Sequence, residues 1–294
     1  MTFRDRLKTA KRNLRYFLIY SIFFAISMQP VRRIPRIKRL LLNLIPVFFR
    51  KEMGRAKELL PPEFHCRADE IISGMAENQV STLLEVFFYE KILVEFPDFV
   101  TMEGQEIFAR ARNEGRGIII LTGHFGNWEL IAYSISRLGF TLHAVARPQA
   151  VNSMTEFMNG FREARGVKVL MDGNLRESLR LLRKGKIVGI VSDLNARERG
   201  YQVDFFGRKA SFYPTPVILA ERSGAYLIPT FIEREGPLKH KIRFETPLSW
   251  NPDETMCQRI KHYVGRFEEA FRRRPDQWVW FHERYSHVEL GRTD

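Results

Sequence analysis

Only two cysteines, Cys66 and Cys257, occur in 294 residues, and they share no metal or redox spacing. No disulfide framework is expected, and a reducing compartment suits the chain. Seven histidines are scattered without a ligand cluster, and the zinc motif His-Glu-x-x-His is missing, so no metal site is expected. There is no Gly-x-Ser-x-Gly elbow, which leaves serine-hydrolase chemistry without support. The apolar run Tyr16–Met28 is too short to cross a bilayer upright: its 13 residues span about 20 Å as a helix against a hydrocarbon core of ~30 Å. Internal repeats, low-complexity segments and disordered linkers are also lacking.

What is present begins with an uneven charge. The net charge is +13, and residues 1–57 hold fifteen Lys and Arg against Asp5 and Glu52. The rest balances 32 bases with 32 acids, so it supplies no basic groove for nucleic acid. Basic residues flank the apolar run on both sides. After it, Arg32, Arg33, Arg36, Lys38 and Arg39 interleave with Ile34, Ile37, Leu40, Leu41, Leu42, Leu44 and Ile45. Such a cluster attracts anionic phospholipid headgroups, each base near the surface worth about 1 kcal/mol. The run reads as a membrane anchor, either a short span or a helix in the interface, and charge on both flanks favours the interfacial form. The alternatives are a signal peptide, for which Met28–Arg32 offers no small-x-small cleavage site, a buried soluble helix, and, for the basic part, a solvated helix face. We expect residues 1–57 to form an anchoring unit and residues 58–294 an α/β domain.

The chain is organised around residues 117–130. Ile118–Leu121 is a short apolar run closed by Gly117 and Gly123, the signature of a strand buried on both faces. Trp128, Leu130, Ile131, Tyr133, Ile135 and Leu138 then predict a mostly apolar helix. His124 sits where strand hands over to helix, and open α/β sheets bind ligands at the carboxyl ends of their strands. Glu129 lies five residues on. An imidazole, with an ordinary pKa of about 6.5, can take the proton of an alcohol that attacks an ester or thioester. A carboxylate on its other nitrogen fixes the tautomer and stabilises the imidazolium. The bland reading of the same spacing is a solvated pair at a helix start.

Around this unit the chain alternates. Residues 58–96 carry apolar residues at helical spacing and should pack over the core. Strands are predicted at 99–102, 118–121, 141–146, 167–170, 187–191, near 202–206, 226–232 and 240–245. Helices are predicted at 104–113, 127–138, 152–164, 175–184, 215–223 and 253–273. This rhythm predicts the α/β class, with a mostly parallel or mixed central sheet flanked by helices and preceded by the anchoring helix.

Seven stretches then fall into a known order: Gly123–Glu129; Ala146-Arg147-Pro148 with Asn152; Arg162 with Arg165-Gly166; Gly189–Asp193; Val203–Ala210; Leu219–Ala225; and Arg274–Tyr285. Together they resemble the bacterial lipid A late acyltransferase family, over nearly the whole chain. The resemblance implies a glycerolipid-acyltransferase-like fold on the cytoplasmic face of the inner membrane. The implied reaction moves an acyl chain from acyl carrier protein, as co-substrate, to a hydroxyl of a Kdo-bearing lipid A precursor, with no cofactor. His124 matches the family's general base and Glu129 its orienter. Arg147 and Arg162 match family arginines, read as binding acceptor phosphate or the thioester oxyanion, with salt bridges to the surrounding helices as the alternative. Asp193 matches a family aspartate, read as substrate-binding or, equally, as a buried structural hydrogen bond. Leu194 stands where many relatives have Gln, and Ser211–Thr215 where many have a Thr and a Gly, so the acceptor stays open. The same chemistry on a phospholipid, glycolipid or aminolipid is the alternative, and a non-catalytic membrane-binding module is the reading from another class. Trp278, Trp280 and His282 are expected to pack the C-terminal tail.

Overall fold

The computed structural model describes residues 25–146, 152–171, 174–285 and 287–294. Two helices, α1 (Ile34–Phe48) and α2 (Arg50–Leu59), lead into the long α3 (Ala68–Glu95). The α/β alternation follows: β1 (Val100–Glu103), α4 (Glu106–Asn113), β2 (Ile118–Thr122), α5 (Glu129–Arg137), β3 (Leu142–Ala146), α6 (Asn152–Glu163), β4 (Lys168–Met171), α7 (Leu175–Arg183) and β5 (Ile187–Val191). The chain closes with β6 (Tyr201–Phe205), β7 (Arg208–Phe212), α8 (Thr215–Ser223), β8 (Tyr226–Gly236), β9 (Lys239–Phe244) and α9 (Met256–Arg273).

Among the described residues the main sheet has seven strands in the order β1-β9-β8-β2-β5-β3-β4. All its neighbours run parallel except β8 and β9. The expected α/β class with a mostly parallel sheet is therefore what the chain builds. β2 lies between β8 and β5 and is buried along its whole length. Its side chains alternate: Ile119 and Leu121 join one apolar cluster with α8 and α9, while Ile118 and Ile120 join the other with α4 and α5. That alternation follows from the two-residue period of a strand, so a continuous β-branched run serves both faces at once.

One strand was invisible in the sequence. Only a strand near 202–206 is predicted, whereas β6 pairs with β7 in a separate antiparallel hairpin. Its two-residue turn is Phe206-Gly207, both at positive φ. Asn-Gly or Asp-Gly normally announces such a turn, and a phenylalanine hides it.

The anchoring helix expected at the N-terminus gains no support from the structure. Residues 16–24 of the apolar run lie outside the described residues, and among the described ones no helix is long and apolar enough to cross a membrane. α1 instead lies on the surface. Val31 and Ile34 are buried, and Ile37, Leu41 and Ile45 pack against the cluster that includes the second half of α3. Leu40, Leu44, Val47 and Phe48 turn away from it, with Val47 and Phe48 each 71% exposed. Their spacing of four, three and one places them on one side of the helix.

Candidate active site

Two adjacent strand ends create the site. Thr122 of β2 is in register with Val191 of β5, and Ser192 N–H donates to Thr122 O at 2.9 Å, continuing the ladder beyond the strands. His124 and Asp193 each lie two residues past that pair. The imidazole Nδ1 is 2.7 Å from Asp193 Oδ1, and the His124 backbone N–H donates to Oδ2 at 3.0 Å. A carboxylate only accepts, so Nδ1 carries the proton and Nε2 keeps its lone pair.

Asp193 is completely buried and heavily supported. Trp278 Nε1–H and Arg284 Nη2–H donate to Oδ2, each at 2.8 Å, and Arg284 Nε–H donates to its backbone oxygen at 2.7 Å. Burial by itself would raise its pKa. The neighbouring His124 and Arg284, with hydrogen bonds from His124 and Trp278, hold it well below the usual carboxylate range instead. Arg284 is itself buried, and its Nη1 caps Val279 O at 2.6 Å.

This corrects the pairing read from the sequence. Glu129 begins α5 and is buried, but its carboxylate takes a bidentate pair from Arg162 of α6, at 3.0 Å from Nε and 2.5 Å from Nη2. The carboxylate bonded to the imidazole is Asp193, for which the sequence leaves substrate binding and a buried structural hydrogen bond both open. Five residues along a loop bring Glu129 near the base, but the hydrogen bond goes to the neighbouring strand's end. Arg147 lies outside the described residues.

His124, Glu129 and Arg162 nevertheless share one cavity of about 410 Å³. Ile120, Ile131, Leu142, Ala144 and Leu219 give it apolar walls, and Trp128 stands with its ring 5.0 Å from that of His124. The cavity thus sets an imidazole in a mainly apolar chamber.

A second polar layer fixes the loop that carries the base. Gly126 adopts φ +58°, and a Cβ there would lie 1.9 Å from Ile232 O, so only glycine fits. Its carbonyl accepts from Asn78 Nδ2 and Thr82 Oγ1, both at 3.2 Å. Asn127 Nδ2 donates to Glu85 Oε2 at 2.9 Å. Glu85 in turn meets Arg234 through Oε1 and His240 Nε2, 3.0 Å from Oε2. Burial would push its carboxyl up, but His240 and Arg234 hold it at about 2. The C-terminal segment completes the clamp: Gly126 N–H donates to Gln277 O at 2.9 Å and Val279 N–H to His124 O at 3.2 Å.

Neither layer was read from the sequence. Asn78, Thr82 and Glu85 recur at i, i+4 and i+7 within α3, a polar stripe that signals a buried network. Trp278 and Arg284 fall inside the stretch Arg274–Tyr285 but carry no local mark of their partner.

Comparison with known proteins shows the family. A family model described as bacterial lipid A biosynthesis acyltransferase matches residues 6–287. A phosphatidylinositol mannoside acyltransferase of Mycobacterium tuberculosis is 28% identical over 127 residues, 42% of this chain and 40% of that protein. The lipid A biosynthesis palmitoleoyltransferase of Escherichia coli is 24% identical over 197 residues, 65% of this chain and 63% of that protein. A lipid A biosynthesis acyltransferase of Shigella flexneri matches to the same extent. These matches therefore span between 40% and 63% of the relatives' lengths.

Proposed function

We propose an acyl transfer for this chain, which belongs to the bacterial lipid A biosynthesis acyltransferase family: a fatty acyl group passes from acyl carrier protein to a hydroxyl of a lipid A precursor. The observation that carries the reading is the His124–Asp193 pair, whose imidazole lines the apolar cavity. His124 Nε2 takes the proton of the acceptor hydroxyl as its oxygen attacks the thioester carbon. Asp193 holds the tautomer and stabilises the imidazolium that forms. The Arg162–Glu129 pair, on the cavity wall, orients the reacting headgroups. The names of the mycobacterial relatives favour a second acceptor, a glycolipid, with the chemistry unchanged.

The test is transfer of labelled acyl chains from acyl carrier protein or coenzyme A to purified lipid A precursor and to glycolipids. His124→Ala is expected to lower the rate by about 10²–10⁴-fold, the usual contribution of a general base. Folded wild-type protein that acylates no lipid would remove the reading, and the acceptor preferred decides between the two lipids.

The same reading places the protein at the cytoplasmic face of the inner membrane. The exposed face of α1, with Leu44 and Phe48 beside exposed Arg36 and Arg39, supports an interfacial attachment to anionic lipid. Paired Leu44→Asp and Phe48→Asp substitutions are expected to weaken binding to vesicles of phosphatidylcholine and phosphatidylglycerol by at least about tenfold. Sedimentation with the vesicles measures it, and unchanged binding would exclude this face.

A further inference from the structure

Acyl transfer through a tetrahedral intermediate needs a hydrogen-bond donor for the thioester oxygen as it becomes negative. Of the two arginines on the cavity wall, Arg162 and Arg199, the first is already engaged. Arg162 gives Nε and Nη2 to Glu129, and its Nη1 lies 3.3 Å from Asn159 Oδ1. Arg284 is locked beneath Asp193.

His282 is placed differently. Its ring centre is 5.3 Å from that of His124. It lines a second hollow of about 480 Å³ with Leu194, Arg199 and Tyr213, three residues that also wall the apolar cavity. The two hollows therefore share a wall, and His124 lines the first while His282 lines the second. The ring of Phe281 packs against the imidazole with centres 5.0 Å apart. Among the described residues no hydrogen bond or ion pair engages either of its ring nitrogens. Burial first, then Arg284 and His124 nearby, push its pKa down to about 3, with Asp193 opposing. At working pH it is thus a neutral imidazole with one N–H to give, and it does not compete with His124 for the acceptor's proton. A neutral imidazole held in that form by its surroundings is an established way to polarise a carbonyl.

We propose that His282 donates the hydrogen bond that stabilises the thioester oxyanion, completing the site whose base is His124. The inference rests on the acyl-transfer reading. In the step, the acceptor's O–H bond breaks and its proton moves to His124 Nε2 while the oxygen bonds the carbonyl carbon. The carbonyl π pair moves onto oxygen, where the His282 N–H meets it. Collapse restores the double bond, expels the thiolate and returns the proton from His124 to sulfur.

The experiment compares full-length wild type, His282→Phe and His282→Gln, with His124→Ala as the reference. Steady-state rates are measured with acyl-acyl carrier protein or acyl-coenzyme A and the lipid that wild type acylates. His282→Phe keeps a flat ring but has no N–H. It should lower kcat by about 10²–10³-fold with KM nearly unchanged, the effect of removing one oxyanion donor. His282→Gln, which regains an N–H, should recover at least about tenfold of that. The acidic limb of the pH profile should not move in either variant. Thermal unfolding at the wild-type temperature certifies the fold. A folded His282→Phe protein within about threefold of wild type, a change confined to KM, or a glutamine variant no better than phenylalanine would overturn the proposal. If wild type is active and His124→Ala is not, that outcome removes only the role of His282. If wild type acylates nothing, the acyl-transfer reading falls and the inference with it.

Discussion

Replacing Asp193 by asparagine is expected to lower acyl transfer by about 10³–10⁴-fold while the protein remains folded enough to bind lipid. The amide can present its NH₂ to His124 Nδ1, which moves the ring proton to Nε2 and removes the lone pair that serves as base. Even with its oxygen forward, it supplies no charge for the imidazolium. Glu129→Gln is the control. It keeps a hydrogen-bond acceptor for Arg162 and leaves the His124 tautomer alone, so its loss should be smaller. Equal losses would restore Glu129 as the partner of the base. Asp193→Ala should also destabilise the fold by about 3–5 kcal/mol, because Arg284 is left buried without its counter-charge. The pH dependence has a definite sign. Asp193 titrates well below its ordinary value in the folded chain, so its contribution is complete above about pH 4. It disappears as pH falls through the depressed folded value. Urea unfolding of wild type and variant across that acidic range measures the difference.

Glu85→Ala is expected to be the most destabilising single change away from the base, by about 3–5 kcal/mol. It strips the carboxylate from between Arg234 and His240 and takes the partner from Asn127. Arg234, His240 and Asn127 lose their partner at once, and the loop carrying His124 loses an anchor. Because Glu85 is held at about 2 rather than its ordinary 4.5, wild type gains this stability above about pH 4.5. The gain is lost as pH falls toward 2. Unfolding curves of the variant should lack that part of the acid dependence. A variant as stable as wild type at neutral pH would show that the cluster is not holding the loop.

Much of the site was legible because its signals are local. Ile118–Leu121, closed by Gly123 and followed by an apolar helix, defines a strand, a loop and a helix within some twenty residues. Any packing of such a unit puts His124 at a strand's carboxyl end. β7 was not legible, because Phe206 occupies a turn position at positive φ without the residues that usually mark it.

The sequence by itself determined the strand-loop-helix unit that carries His124, the class of fold around it and the apolar faces that bury β2. Only the tertiary structure decided which carboxylate bonds that imidazole. Glu129 is near in the chain, but β5 lies beside β2 in the sheet and its end delivers Asp193 from 69 residues away. Strand neighbours are chosen by the packing of both apolar layers across the whole domain. No local spacing encodes that choice, so the carboxylate on the imidazole could be read only once the sheet was assembled.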